Sequence, residues 1–326
     1  MRVAVLLGGV SSEREVSLAT GAQCAAALEQ AGHAVTRIDV GADPAALIAA
    51  LRECRAEVAF NALHGRFGED GSVQGILDWL GLPYTHSGLR ASALAMNKAV
   101  AKSIFTAAGL PVAPHALLEA EALAAADPFP RPYVVKPVEE GSSVGVHILR
   151  AGDNRRAEIA RGWRFGAIMA EPYIPGHELS VGVMGDRALE VTEIIAARGE
   201  FYDYDAKYAE GGSHHVLPAP IPAAIREQAM AVALKAHQAL GCRGVSRSDF
   251  RYDDTGAPSG DDTAGGDGRL VLLEVNTQPG MTPTSLVPEQ AAHCGIAFPA
   301  LCDWMVRHAR HDGLRPAASP ESRHAA

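Results

Sequence analysis

The stretch RLVLLEVNTQPG at residues 269–280 constrains this chain more than any other. Val271, Leu272, Leu273 and Val275 form an apolar run of the kind found in strands buried on both faces, yet Glu274 interrupts it and Asn276 follows two positions later. A carboxylate at the end of a buried strand is costly unless a cation meets it. The candidates are Arg247, from the segment GVSRSDFRY, and a bound metal. Alternate residues of a strand share a face, so Arg247 and Asp249 lie together. If the two strands are neighbours, Asp249, Glu274 and Asn276 converge as an all-oxygen set, the type that Mg²⁺ takes together with phosphate oxygens and water. A plain arginine–carboxylate pair between strands would account for the same residues, and the residues alone leave both readings open.

The rest of the composition narrows the class. A length of 326 residues suggests two or three domains, and 48% hydrophobic content is ample for their cores. The net charge of −9, with no basic block, argues against nucleic acid or an anionic membrane as partner and favours small ligands. The five cysteines (Cys24, Cys54, Cys242, Cys294, Cys302) are far apart, which indicates neither a zinc site nor a disulfide framework and fits a reducing cytosol. The opening RVAVLLGG is too short for a membrane span and lacks signal-peptide flanks, so it is expected to be a first strand in a cytoplasmic protein.

Strands near 2–8, 34–40 and 57–63 alternate with helices near 13–31 and 44–54, a parallel α/β pattern that binds ligands at strand C-terminal ends. His64 stands at one such end. Ser12 and Glu15 have capping-box spacing, which makes Glu15 structural and leaves Glu13, in the first turn, open to either role. No GxGxxG follows the first strand and no GxxxxGK[ST] occurs, against a dinucleotide fold and a P-loop ATPase. A helix is expected over 92–108, with Lys98 near its start. The strand at 133–138 half-buries Lys136, which needs an anionic partner such as phosphate. EEGSSVG then supplies a loop whose N–H groups and hydroxyls, those of Ser142 and Ser143 included, can close over phosphates. A strand at 167–174 and a helix over 225–240 follow. Residues 253–268 are acidic and Gly-rich, an expected solvated hairpin connection, and the tail from 313 to 326 is expected to be disordered.

The segments GGVSSEREVSL, LHGRFGEDG, MNK, KPVEEGSSVG, FYDYDAKY, RSD and LLEVNTQPGMTPTSL, in this order, resemble the D-alanine:D-alanine ligase family of the ATP-grasp superfamily over about residues 2 to 310. The resemblance implies an N-terminal Rossmann-like parallel α/β domain (1–95) followed by the two α+β lobes of an ATP-grasp fold (96–178 and 179–312). It further implies a homodimer that uses ATP and two Mg²⁺ or Mn²⁺ ions to join two D-alanines for peptidoglycan. By the same resemblance, Lys98, Lys136, Ser142 and Ser143 serve the phosphates, and Lys207 belongs to the nucleotide site. Glu171, the Pro172 carbonyl and the Ile174 N–H meet adenine, and Glu178 meets the ribose. Pro172 replaces a lysine of the family, which spares a carbonyl contact and removes a cation. Glu13 holds the first ammonium group and His64 lies near the carboxylate being activated. Gly280, Ser285 and the Leu286 N–H serve substrate, the last two through the second carboxylate. Asp249, Glu274 and Asn276 hold the metals and Arg247 stabilises the transition state. Tyr208 bonds Ser142, with Glu13 on the serine's other side. A sister ligase with a D-lactate acceptor is the nearest alternative reading, and a nucleotide-sensing module without turnover is a more distant one.

Overall fold

A computed structural model describes residues 1–141, 143–196, 213–255 and 268–313. Ser142, Lys207, Tyr208, residues 256–267 of the acidic connection and residues 314–326 of the tail lie outside these.

The N-terminal part is a parallel sheet of order β2–β1–β3, built from β1 (Arg2–Gly8), β2 (Ala34–Val40) and β3 (Val58–Asn61). It is flanked by α1 (Arg14–Gln30), α2 (Pro44–Glu53) and α3 (Ser72–Leu80). Val3 to Leu6 of β1 are at most 1% exposed, as an apolar run covered on both sides must be. The Val3, Val5 and Leu6 side chains each contribute roughly 1.5–3 kcal/mol on leaving water. The helix α3, which interior Gly75 and a lone Gln74 conceal in the sequence, was not anticipated.

Next come α4 (Leu89–Met96) and α5 (Lys98–Ala107), where one helix was expected over 92–108. Asn97 divides them: its backbone is extended, and its side-chain carbonyl accepts from Val100 N–H at 3.1 Å as the N-cap of α5. Lys98 therefore sits in the first turn of a new helix.

A four-stranded sheet of order β4–β7–β5–β6 follows, from β4 (Ala116–Leu118), β5 (Tyr133–Pro137), β6 (His147–Leu149) and β7 (Ile168–Pro172), with α6 (Ala120–Ala125) and α7 (Arg156–Gly162) packed together. β5 and β6 pair antiparallel, so the serine- and glycine-containing loop is a hairpin connection.

The last sheet, of order β10–β9–β8–β11–β12, is antiparallel throughout. Its strands are β8 (His177–Met184), β9 (Arg187–Ala196), β10 (Ser213–Val216), β11 (Val245–Asp253) and β12 (Arg269–Asn276). The helix α8 (Ala223–Leu240) buries Ile225, Ala229, Val232, Ala233, Ala236 and Leu240 against it and ends at Gly241 in the left-handed conformation. The helices α9 (Leu286–His293) and α10 (Phe298–Arg307) close the chain, α10 packing on α1.

One irregularity positions the site. In an unbroken strand Leu270, Leu272, Glu274 and Asn276 would share a face, which would drive two polar side chains into the core. The β11–β12 register shifts between Asp249 and Phe250, so that Phe250 opposes Leu272 while Asp249 opposes Glu274, with Leu273 as the extra residue. Leu270, Leu272 and Val275 thus join Phe250 and Tyr252 in the core beneath α8. Glu274 and Asn276 face the other way, with Asp249 and Arg247.

Candidate active site

Two cavities meet at this face. The smaller, about 100 Å³, lies between the two antiparallel sheets and is lined by Lys136, Ser143, Pro172, Ile174, Glu178 and Asp249, among others. The larger, about 950 Å³, runs from the C-terminal end of the parallel sheet to α9, past Glu13, His64, Arg247, Asn276 and Gly280 to Ser285 and Leu286. Lys98, Glu140, Gly141 and Glu274 line both, so a ligand that fills one reaches the other at Lys98 and Glu274. Glu171 lines the smaller cavity, and every described residue singled out in the sequence as a site residue lines at least one.

At the junction Lys98 Nζ donates to the Glu140 carbonyl at 2.5 Å and stands 3.5 Å from Glu274 Oε2. Lys98 is thus a cation beside Glu274 that the sequence pattern did not suggest, while Arg247 makes a two-pronged bond to Asp249 at 2.8 and 2.7 Å. Ser180 Oγ also donates to Asp249, at 2.9 Å, and the Asn276 side-chain oxygen accepts from Gln278 N–H at 2.8 Å. No cluster of three His, Cys, Asp or Glu side chains suited to a metal occurs among the described residues. The set here is instead two carboxylates and an amide oxygen on opposed strand positions, Asp249 against Glu274 and Arg247 against Asn276. That donor chemistry fits hard divalent ions whose remaining positions are filled by phosphate and water.

Within the smaller cavity, burial of Lys136 is balanced inside the protein. Glu171, 3% exposed, lies 2.5 Å from Lys102 Nζ and 2.6 Å from Lys136 Nζ. Burial pushes the Glu171 carboxyl upward, but Lys136 and Lys102 outweigh it and the net shift is downward. Burial lowers the fully buried Lys102 against the pull of Glu171. The cluster keeps one positive charge in excess, next to the loop expected to hold phosphates. Lys102 was not singled out in the sequence: one turn after Lys98, it looks like a solvated helix lysine.

The larger cavity is acidic at one end. Glu13 is the N-cap of α1 and is 8% exposed. The N-cap is Glu13 rather than Ser12 and makes no side-chain cap bond, so the capping box expected from Ser12 and Glu15 does not form, and Glu15 lines the cavity. Ser11 takes over locally, accepting from Glu13 N–H at 3.2 Å and donating to the His64 carbonyl at 2.7 Å. His64 is buried, within 3.3 Å of Thr20 Oγ1, and desolvation lowers its pKa although Glu13 opposes the shift, so the imidazole is neutral at pH 7. Glu69, unremarkable in the sequence, accepts from Gly65 N–H at 2.6 Å. Burial and the nearby Glu13 push its carboxyl up to about 8, which makes it a neutral acid at pH 7. At the other end Ser285 is the N-cap of α9, with no side-chain cap bond. Its hydroxyl accepts from Thr282 N–H at 3.1 Å, and the helix N-terminus behind it is suited to a carboxylate.

The arrangement can bind a polyanion between the sheets and amino-acid-sized groups in the larger space, with one carboxylate-binding end and one ammonium-binding end. Comparison with known proteins gives it a family. Residues 104–307 match the family description "D-ala D-ala ligase C-terminus", and residues 42–87 match "D-ala D-ala ligase N-terminus". The D-alanine–D-alanine ligase of Acidiphilium cryptum is 64% identical over 309 residues, covering 94% of this chain and 98% of that one. That of Gluconobacter oxydans is 61% identical over 311 residues, covering 95% and 99%. The crystal structure of a Bacillus anthracis D-alanine–D-alanine ligase complexed with ATP superposes with a TM-score of 0.76 at 28% identity, covering 94% of this chain and 97% of that one. No described helix is long and apolar enough to cross a membrane. The two antiparallel sheets that enclose the smaller cavity are the lobes of an ATP-grasp fold, and the chain belongs to the D-alanine–D-alanine ligase family.

Proposed function

We propose that the protein joins two molecules of D-alanine into D-alanyl-D-alanine at the expense of ATP, for peptidoglycan synthesis. The observation that supports this reading is the junction of the two cavities at Lys98 and Glu274, where a nucleotide's terminal phosphate and an amino acid's carboxylate would meet.

A carboxylate does not acylate an amine at neutral pH, so it is first activated. One carboxylate oxygen of the first D-alanine attacks the γ-phosphorus, and ADP leaves. The amine nitrogen of the second D-alanine then attacks the acyl carbon, loses its protons to solvent or a base, and expels phosphate that retains the attacking oxygen. Glu13 holds the first ammonium group, and Ser285 with the Leu286 N–H holds the second carboxylate. Lys98 and Lys136 neutralise phosphate charge while Arg247 offers its guanidinium to the reacting centre. Glu171, Pro172 and Ile174 face the base and Glu178 the ribose. Asp249, Glu274 and Asn276 would hold the two Mg²⁺ or Mn²⁺ ions that the family implies, which supply charge neutralisation and alignment of the phosphates.

Phosphate release from ATP in the presence of single amino acids, with chromatographic detection of product, tests the reading. Release that depends on D-alanine and matches dipeptide formed is the expected result. Release supported equally by L-alanine, or D-lactate preferred as acceptor over D-alanine, would replace it.

A further inference from the structure

The segment Tyr173–Gly176 carries the chain from β7 in one antiparallel sheet to β8 in the other, past the smaller cavity. It is held from below by one side chain outside the family motifs. Arg251 lies on the same face of β11 as Arg247 and Asp249 and is 8% exposed. Its Nε donates to the Ile174 carbonyl at 3.0 Å and its second terminal nitrogen donates to the Gly176 carbonyl at 2.8 Å. Its remaining nitrogen stands 3.5 Å from Glu178 Oε2, and Glu178 is its register partner on β8. The guanidinium also lies 5.8 Å from the centre of the Tyr173 ring. Gly176 makes this approach possible: its φ is +85°, and a Cβ there would run into the Tyr252 carbonyl oxygen.

A guanidinium is planar, permanently charged and armed with donors in fixed directions. Here they are divided between two carbonyls of the crossing and one carboxylate, so a single side chain fixes the crossing on the second sheet and aims Glu178. We propose that Arg251 is a positioning residue for the nucleotide, acting through Ile174 and Glu178 to set recognition of the ribose hydroxyls. The proposal rests on the reading above that Glu178 meets the ribose. Arg251 touches two parts of that region at once, the Ile174 and Gly176 carbonyls and the Glu178 carboxylate.

The test compares ATP with 2′-deoxyATP in steady-state kinetics of the full-length enzyme and of Arg251→Met, Arg251→Lys and Glu178→Gln, with melting temperatures recorded alongside. A hydrogen bond to a charged group is worth about tenfold or more in affinity, so the unmodified enzyme should prefer ATP by about that factor. Arg251→Met should raise KM for ATP about tenfold, leave kcat and KM for D-alanine within about twofold, and collapse the preference as Glu178→Gln does. Arg251→Lys should recover part of it. If Glu178→Gln abolishes the preference while both folded Arg251 variants retain it, Arg251 is only structural and the proposal fails alone. If the unmodified enzyme shows no preference, or Glu178→Gln leaves it intact, the ribose reading falls and takes the proposal with it. Should Arg251→Met not fold, Arg251→Lys decides: an unchanged preference and KM overturn the proposal.

Discussion

Replacing Glu274 with glutamine is expected to lower kcat by about 10²–10³-fold, the loss that follows removal of one preorganised electrostatic group from a reacting centre. Size is unchanged, and the side chain is 32% exposed at the end of a strand whose core neighbours point the other way, so the melting temperature should move by no more than a few degrees. The loss should come with a weaker dependence on Mg²⁺, seen as a rightward shift in a metal titration of turnover. Turnover within about threefold of the unmodified enzyme, in a folded variant, would remove Glu274 from the junction of nucleotide and substrate.

Glu171→Gln is expected to act on stability first. The carboxylate stands between two buried ammonium groups, and deleting it leaves both without their counter-charge. Breaking a buried pair costs about 3–5 kcal/mol, a large part of the 5–15 kcal/mol typical of a folded domain. The pH dependence has a definite sign. In the unmodified protein Glu171 has its pKa lowered on folding, so its contribution is complete above the ordinary carboxylate range and is lost as pH falls through the folded value. Lys102 is also lowered, and in its case the unfolded chain binds more protons, so stability rises with pH between the folded value and the ordinary lysine range. Without Glu171 that second window widens. Melting temperature should therefore rise more steeply from pH 7 to 9.5 in Glu171→Gln than in the unmodified protein, and Glu171→Gln with Lys102→Met should recover much of the loss. A melting temperature within about 2 °C of the unmodified protein at pH 7 would mean that water, not Glu171, satisfies the lysines.

What the sequence made legible follows from periodicity. The period-two pattern put Arg247 with Asp249 on one face of β11 and Glu274 with Asn276 on β12, and neighbouring strands then bring Asp249, Glu274 and Asn276 together, as the pairing of β11 with β12 does. The extra residue at Leu273 was not legible. A bulge has no composition of its own, and its effect, re-aiming Glu274 out of the core, shows only when both strands are seen. The contact of Lys98 with Glu274 was equally hidden, since Lys98 comes from a helix more than a hundred residues earlier. Lys102, Glu69 and Arg251 were missed for one reason: each is a charged residue of an ordinary-looking helix, loop or strand, and only burial makes it informative. The cap of α1 failed by a single position, because Ser11 has a tertiary partner in the His64 carbonyl that Ser12 lacks in the pattern. At Asn97 the signal was present, a cap residue ahead of a helix, but the apolar spacing on either side hid the break.

The proposed chemistry activates the first carboxylate as an acyl phosphate where the two cavities join. Turnover of D-alanine labelled with ¹⁸O in its carboxylate, followed by mass spectrometry of the released phosphate, tests it most directly. One ¹⁸O atom is expected in the phosphate for each dipeptide formed, with ADP as the nucleotide product, because the oxygen that attacks phosphorus leaves with it. Phosphate free of label, or label found in AMP, would contradict it.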